Sequence, residues 1–171
     1  MMKEQLFFVD AESDGLYGKF LSVAALVTDR DGNELDRFYG AVRVTVEDIR
    51  SEWVRENVFP YLTNAEFIFE CENAMLEAFW EFWLKHRESA DCVSYVPYPV
   101  ESRLFISCVT QNTDERQFLA PFPLYDLATV LELRGCNYDS DMQTLSGLDL
   151  VSHDAMNDVR IAASVWRKLY N

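Results

Sequence analysis

The sequence predicts an α/β fold built on a mixed central sheet, and three observations predict it. A short, wholly apolar run, Leu6-Phe7-Phe8-Val9, leads straight into Asp10-Ala11-Glu12. Two further strand-like stretches follow, separated by tight turns, so the chain opens as a three-stranded antiparallel meander. From residue 47 onward, stretches of helical periodicity alternate with short β-type runs, the pattern of helices packed on a partly parallel sheet.

The first strand spans 6–10 and reads as buried on both faces, because it is apolar without alternation. Asp14-Gly15-Leu16-Tyr17-Gly18 is a turn, and 20–28 is a second buried strand. Asp29-Arg30-Asp31-Gly32-Asn33 supplies the Asp-Gly pair of a hairpin, and 34–44 is the third strand. Residues 47–62 give an irregular helix that Pro60 ends. Residues 72–87 form the clearest helix, and its stripe of Met75, Leu76, Phe79, Trp80, Phe82 and Trp83 is core rather than a stacking platform. Residues 92–96 form a fourth strand closed by Pro97, and a helix runs from Val100 to Thr110. Residues 111–122 read as a polar loop, 123–126 as a short strand or helix entry, and 126–134 as a helix. Turn residues dominate 135–147, with room for a short helical piece. The last helix spans 152–170, with Ser152 as its N-cap.

A chain of 171 residues is expected to form one domain, 1–171. No apolar run approaches the roughly 20 residues of a membrane span, and Met1-Met2-Lys3-Glu4-Gln5 carries an acid and does not read as a signal peptide. The four cysteines are scattered without a C-x-x-C pair, which reads as buried thiols in a reducing cytoplasm. Two histidines are too few for a zinc site of the Cys/His type. The formal net charge of −14 excludes a generic electrostatic grip on long duplexes. It leaves room for a short or single-stranded substrate held at its end, or for a basic partner.

Successive strand residues alternate between faces, so Asp10 and Glu12 project to the same side. Two adjacent carboxylates repel and lose hydration there, and a divalent cation with oxygen ligands is the natural counter-charge. At the other end of the chain, His153-Asp154-Ala155-Met156-Asn157-Asp158 opens the last helix, so an imidazole and a carboxylate can face one cavity from the same corner. Glu101 stands in the first turn of a helix that follows a core strand, a place where sites of α/β proteins collect. Asp91, Asp126 and Asp154 are the other acids placed to join them.

Taken together these residues resemble the DEDDh group of 3′→5′ exonucleases, which includes proofreading exonucleases, oligoribonuclease and ribonuclease T. Asp10-Ala11-Glu12 is similar to the first motif, Asp-x-Glu, with Gly15-Leu16 following at the spacing seen there. His153-x-Ala155-x-x-Asp158 matches the third motif in full. Glu101, with Leu104 and Phe105 three and four residues on, stands where the group has an Asp. The longer side chain keeps the carboxylate and shifts it by one methylene.

The resemblance implies a ribonuclease H-like fold with helices on both faces of the sheet. It implies two divalent ions, Mg²⁺ or Mn²⁺, held by Asp10, Glu12, Glu101 and Asp158, with Asp10 bridging them and Glu101 serving the second ion through water. His153 is implied as the base that takes a proton from the attacking water. Gly15, Leu16 and Tyr17 are implied as contacts to the terminal nucleotide, and Lys19, Arg103 and Arg160 are candidate phosphate contacts. The implied substrate is single-stranded or short nucleic acid, RNA slightly ahead of DNA, and many relatives are dimers, which extends to an expected homodimer. The alternative is a catalytically weak or inactive nucleic-acid or protein binding module, which the Glu at the second motif would permit. A third class, a ribonuclease H-like endonuclease, lacks the His-x-Ala-x-x-Asp arrangement.

Overall fold

The computed structural model describes residues 3–170, the side chains of 139–141 and 170 excepted, so the Met1-Met2 start lies outside the described residues. Six strands form one sheet in the order β4-β3-β2-β1-β5-β6. Strands β1 (Gln5–Ser13), β2 (Phe20–Asp29) and β3 (Glu34–Val42) are the antiparallel meander that the sequence predicts. Strands β4 (Phe67–Phe69), β5 (Ala90–Ser94) and β6 (Leu124–Asp126) each join it in parallel. The helices are α1 (Glu52–Asn57), α2 (Glu72–His86), α3 (Val100–Gln111), α4 (Thr113–Arg116), α5 (Leu127–Leu133), α6 (Tyr138–Ser146) and α7 (Ala155–Tyr170).

The alternation along β1 sorts the core into two layers. Phe7, Val9 and Ala11 pack with α2 and α3, among Phe79, Trp80, Trp83, Leu104 and Phe105. Leu6 and Phe8 pack on the opposite face with α5, α6 and α7, among Leu127, Met142, Val159, Val165 and Trp166. Asp10 and Glu12 continue the Leu6–Phe8 series, so they emerge on the α7 face. Burial of β1 and β2 by helices on both sides explains their near-continuous apolar sequences.

Several expectations are corrected. Pro60 does not end a helix: α1 stops at Asn57, and Pro60 sits at the start of a separate 3₁₀ turn, Phe59–Asn64, where a missing N–H costs nothing. The strand predicted at 92–96 starts two residues earlier and is the fifth, because β4 intervenes. Residues 111–122 are not all loop: α4 lies within them, and Arg116 is buried, bonding Glu77 through two nitrogens (2.9 and 2.6 Å) and the Cys108 carbonyl (2.9 Å). The 135–147 stretch carries the full helix α6, held down by buried Met142. Helix α7 begins at Ala155, and its cap is Asp154 rather than Ser152. The Asp154 carboxylate accepts from Met156 N (3.0 Å) and Asn157 N (3.3 Å).

Among the described residues no helix is long and apolar enough to cross a membrane. All four cysteines are free thiols, but only Cys92 and Cys108 are buried as expected; Cys136 is half-buried and Cys71 is exposed.

Candidate active site

The site forms where the C-terminal part of β1 meets the N-termini of α3 and α7. Ala24 and Ser22 of β2 stand opposite Asp10 and Glu12, and their small side chains leave the acids room. Strand β1 stays in register through Glu12 and shifts only between Glu12 and Ser13, so both acids sit on regular strand rather than beyond its end.

From α3, Glu101 reaches back across the strand end. It is buried (5% exposed), and its Oε1 accepts the Ala11 N–H at 3.2 Å. The extra methylene relative to Asp is thus used to span from the helix to the β1 backbone, and the charge of the carboxylate still bears on Asp10 and Glu12. From α7, Asp158 lies one turn into the helix and faces the sheet. Its Oδ2 accepts the backbone N–H of His153 at 2.9 Å. That bond draws the chain before α7 into a left-handed turn, with His153 at φ 66°, an uncommon conformation for a residue other than glycine. The imidazole is half-buried and meets the Trp53 ring edge-to-face at a centroid distance of 4.7 Å. One ligand atom each of Glu12, His153 and Asp158 lie within 4.8 Å of one another.

The electrostatics show how much negative charge converges here. Burial, then Asp158, Glu12 and Glu101, hold the Asp10 carboxyl well above the usual carboxylate range. Burial, followed by the charges of Asp158 and Glu101, pushes Glu12 up to about 8. Burial pushes Glu101 and Asp158 each up to about 7. Asp10 Oδ2 is buried with no hydrogen-bond partner. An orphaned carboxylate oxygen amid three other acids is the environment that a bound cation would relieve. The donor set, carboxylates with one imidazole, fits a hard divalent ion such as Mg²⁺ or Mn²⁺. Burial also holds His153 below its ordinary pKa, so the ring is neutral at neutral pH.

The structure therefore brings Asp10, Glu12, Glu101, His153 and Asp158 to one place. Asp91 lies elsewhere: it pairs with Arg30 and pairs in register with Leu6, four residues before Asp10 on β1. Asp126 caps α5 through Thr129 N (3.2 Å). Gly15, Leu16 and Tyr17 form the turn directly after β1. Gly15 adopts φ 74°, and Leu16 and Tyr17 are exposed. The neighbouring Tyr98 hydroxyl raises the pKa of Tyr17.

The sequence offers Asp154 as a further candidate acid, and the structure gives it a structural role. It is buried and anchors the whole corner, accepting from Asn64 Nδ2 (2.7 Å) as well as from its own helix. Trp53, which packs on His153, is a second residue of the site that the sequence does not single out. Neither contact has a local signature, since the partners are tens of residues away.

The fold is that of solved 3′-exonuclease structures, a DEDDh family member among them. Among solved structures, the chain is similar to the nuclease domain of 3′hExo, a DEDDh family member, bound to rAMP. That match has a TM-score of 0.69 and 12% identity, and covers 98% of this chain and 92% of the other. It is equally similar to E. coli ExoI in a zinc-bound complex with single-stranded DNA (TM-score 0.69, 14% identity, 95% of this chain and 39% of that one). A full-length 3′-exonuclease matches at a TM-score of 0.56 and 10% identity, over 99% of this chain and 83% of the other. The chain thus spans about two fifths of ExoI and nearly all of the 3′hExo nuclease domain. No protein-family model matches the sequence, and no curated protein matches it.

Proposed function

We propose that residues 1–171 act as a single metal-dependent exonuclease domain that removes nucleotides from the 3′ end of single-stranded or short nucleic acid, RNA slightly preferred over DNA. The observation that carries this reading is the buried, unpartnered oxygen of Asp10 among Glu12, Glu101 and Asp158, with a neutral His153 at the rim. Asp10, Glu12, Glu101 and Asp158 would hold two divalent ions, Mg²⁺ or Mn²⁺, with Glu101 in the more distant role. When bound, such ions supply positive charge to the phosphate and acidify the attacking water.

The chain's own residues do the rest. His153, neutral and half-buried, accepts the proton that the water gives up as its oxygen attacks phosphorus. The Asp158–His153 backbone bond fixes where that ring stands. The bond from phosphorus to the 3′-oxygen of the preceding nucleotide breaks, and a nucleoside 5′-monophosphate leaves. The turn Gly15-Leu16-Tyr17 offers a close backbone approach at Gly15 and two exposed side chains, Leu16 to wedge against the terminal base and Tyr17 to stack on it. A cytoplasmic location and a homodimer complete the proposal.

Digestion of a 5′-labelled single-stranded oligonucleotide tests it. Mg²⁺ or Mn²⁺ should yield a ladder shortening one nucleotide at a time from the 3′ end, and EDTA should stop it. Internal cuts would mark an endonuclease. No cleavage, together with no metal binding, would establish the alternative, a non-catalytic binding module. The same assay on matched RNA and DNA ranks the two substrates.

A further inference from the structure

A groove of about 870 Å³ opens between the β1–β2 turn, the end of β3, the start of α2 and Arg103 of α3, and the turn that carries Tyr17 links it to the site. Four of the chain's fifteen cationic side chains line it: Lys19, Arg43, Arg50 and Arg103. Four acids line it too, which makes the groove formally neutral on a chain of net charge −14. It is therefore a stretch of surface where a polyanion meets little repulsion.

The two sets of charges differ in how they are engaged. Asp14 accepts the backbone N–H groups of Arg50 and Ser51, both at 2.9 Å, and Asp48 accepts Thr45 N and Oγ1 at 2.8 and 2.9 Å. Glu72 accepts Phe20 N at 2.8 Å, and Glu70 pairs with Arg43 at 3.1 Å. Lys19, Arg50 and Arg103 have no carboxylate within 4.0 Å among the described residues. Arg103 lies 4.1 Å over the Phe20 ring, and its Nε and Nη2 are shielded from solvent without a hydrogen-bond partner. That state is costly for a cation, and an anion would relieve it. Arg103 stands two residues from Glu101 on α3, and Tyr17, on the turn that leaves β1, lines the groove as well.

We infer that this groove is the track for the strand 5′ of the terminal nucleotide, with Lys19, Arg50 and Arg103 meeting successive phosphates. The inference rests on the exonuclease reading of the adjoining site. It gives the substrate class a physical basis: a flexible single strand can turn from the site over Tyr17 into the groove.

The test compares two substrates, a single-stranded octanucleotide and the p-nitrophenyl ester of thymidine 5′-monophosphate, which has no upstream phosphates. In Lys19→Gln/Arg50→Gln, both exposed positions, the ratio of kcat/KM for the octanucleotide to that for the ester should fall by roughly fivefold per charge removed. The salt dependence of octanucleotide binding should lose about 0.7 in log–log slope per lost contact. Arg103→Gln should act in the same direction, with circular dichroism reporting whether it folds. A ratio and slope equal to wild type in the folded double variant overturn the groove assignment and leave the exonuclease reading standing. Failure of the wild type to hydrolyse either substrate overturns both.

Discussion

At the scale of single residues, the site depends on carboxylates forced together and on one neutral imidazole. Asp10→Asn removes a proposed metal-holding carboxylate and a source of repulsion at once. Turnover should be nearly abolished, while the melting temperature of the metal-free protein should be unchanged or higher. His153→Ala should lower kcat by roughly 10²–10⁴ with little change in metal affinity. Because burial holds His153 below its ordinary pKa, wild-type activity should decline on the acid side of neutrality, and the variant should keep only the part of that decline that comes from protonation of the metal-holding acids. A variant as active as wild type across neutral pH would remove His153 from the base role. These residues are legible in the sequence because strand alternation fixes Asp10 with Glu12, and a single helical turn fixes Asp158 near His153. The Asp154–Asn64 bond is not legible, since it joins positions 90 residues apart and leaves no local pattern.

Among the elements, α7 is the piece that carries the far half of the site to β1. Its apolar face, Ala155, Met156, Val159, Ala162, Val165 and Trp166, packs on the β1–β2 face, and that packing aims Asp158. The start of the helix is fixed by Asp154, so Asp154→Ala should cost about 0.5–2 kcal/mol for the cap alone. The lost bond to Asn64 adds to that cost. Thermal unfolding should show the destabilisation. kcat should fall as well, although Asp154 holds no ion in this account, because Asp158 and His153 share its turn; a destabilised variant with full kcat would separate the cap from the chemistry. The meander, α2, α3 and α7 are readable from periodicity and turn chemistry because each is long and strongly apolar on its core side. Strand β4 is not, since Phe67-Ile68-Phe69 is three residues long and becomes a strand only through pairing with β3. Helices α4 and α6 are short and polar, and their burial hangs on Arg116 and Met142, anchors that periodicity does not reveal.

For the molecule as a whole, the cost of concentrating acids should appear as a pH dependence of stability. In the folded chain Glu12 titrates at about 8, and Glu101 and Asp158 at about 7. In an unfolded chain all three titrate at about 4. Between these limits the native state binds more protons than the unfolded state, so stability falls as pH rises. The metal-free protein should therefore be most stable near pH 5 and lose melting temperature steadily toward pH 8. His153 opposes this trend below about pH 6.5 as a single group, and Asp36, whose carboxyl is held low, gives up its contribution only in stronger acid. Mn²⁺ or Mg²⁺ should reverse the loss at pH 8 and have little effect at pH 5, where protons compete for the same oxygens. A melting temperature flat from pH 5 to 8, with or without metal, would contradict that picture of the site.

Calorimetric titration of the protein with Mn²⁺ at pH 8 tests the metal site most directly. Two ions per chain should bind, with release of protons that can be read by changing the buffer's ionisation enthalpy, and Asp10→Asn should lose most of that binding. Absence of binding in the wild type, or binding of equal strength in Asp10→Asn, would contradict the assignment of residues 10, 12, 101 and 158 as a metal centre.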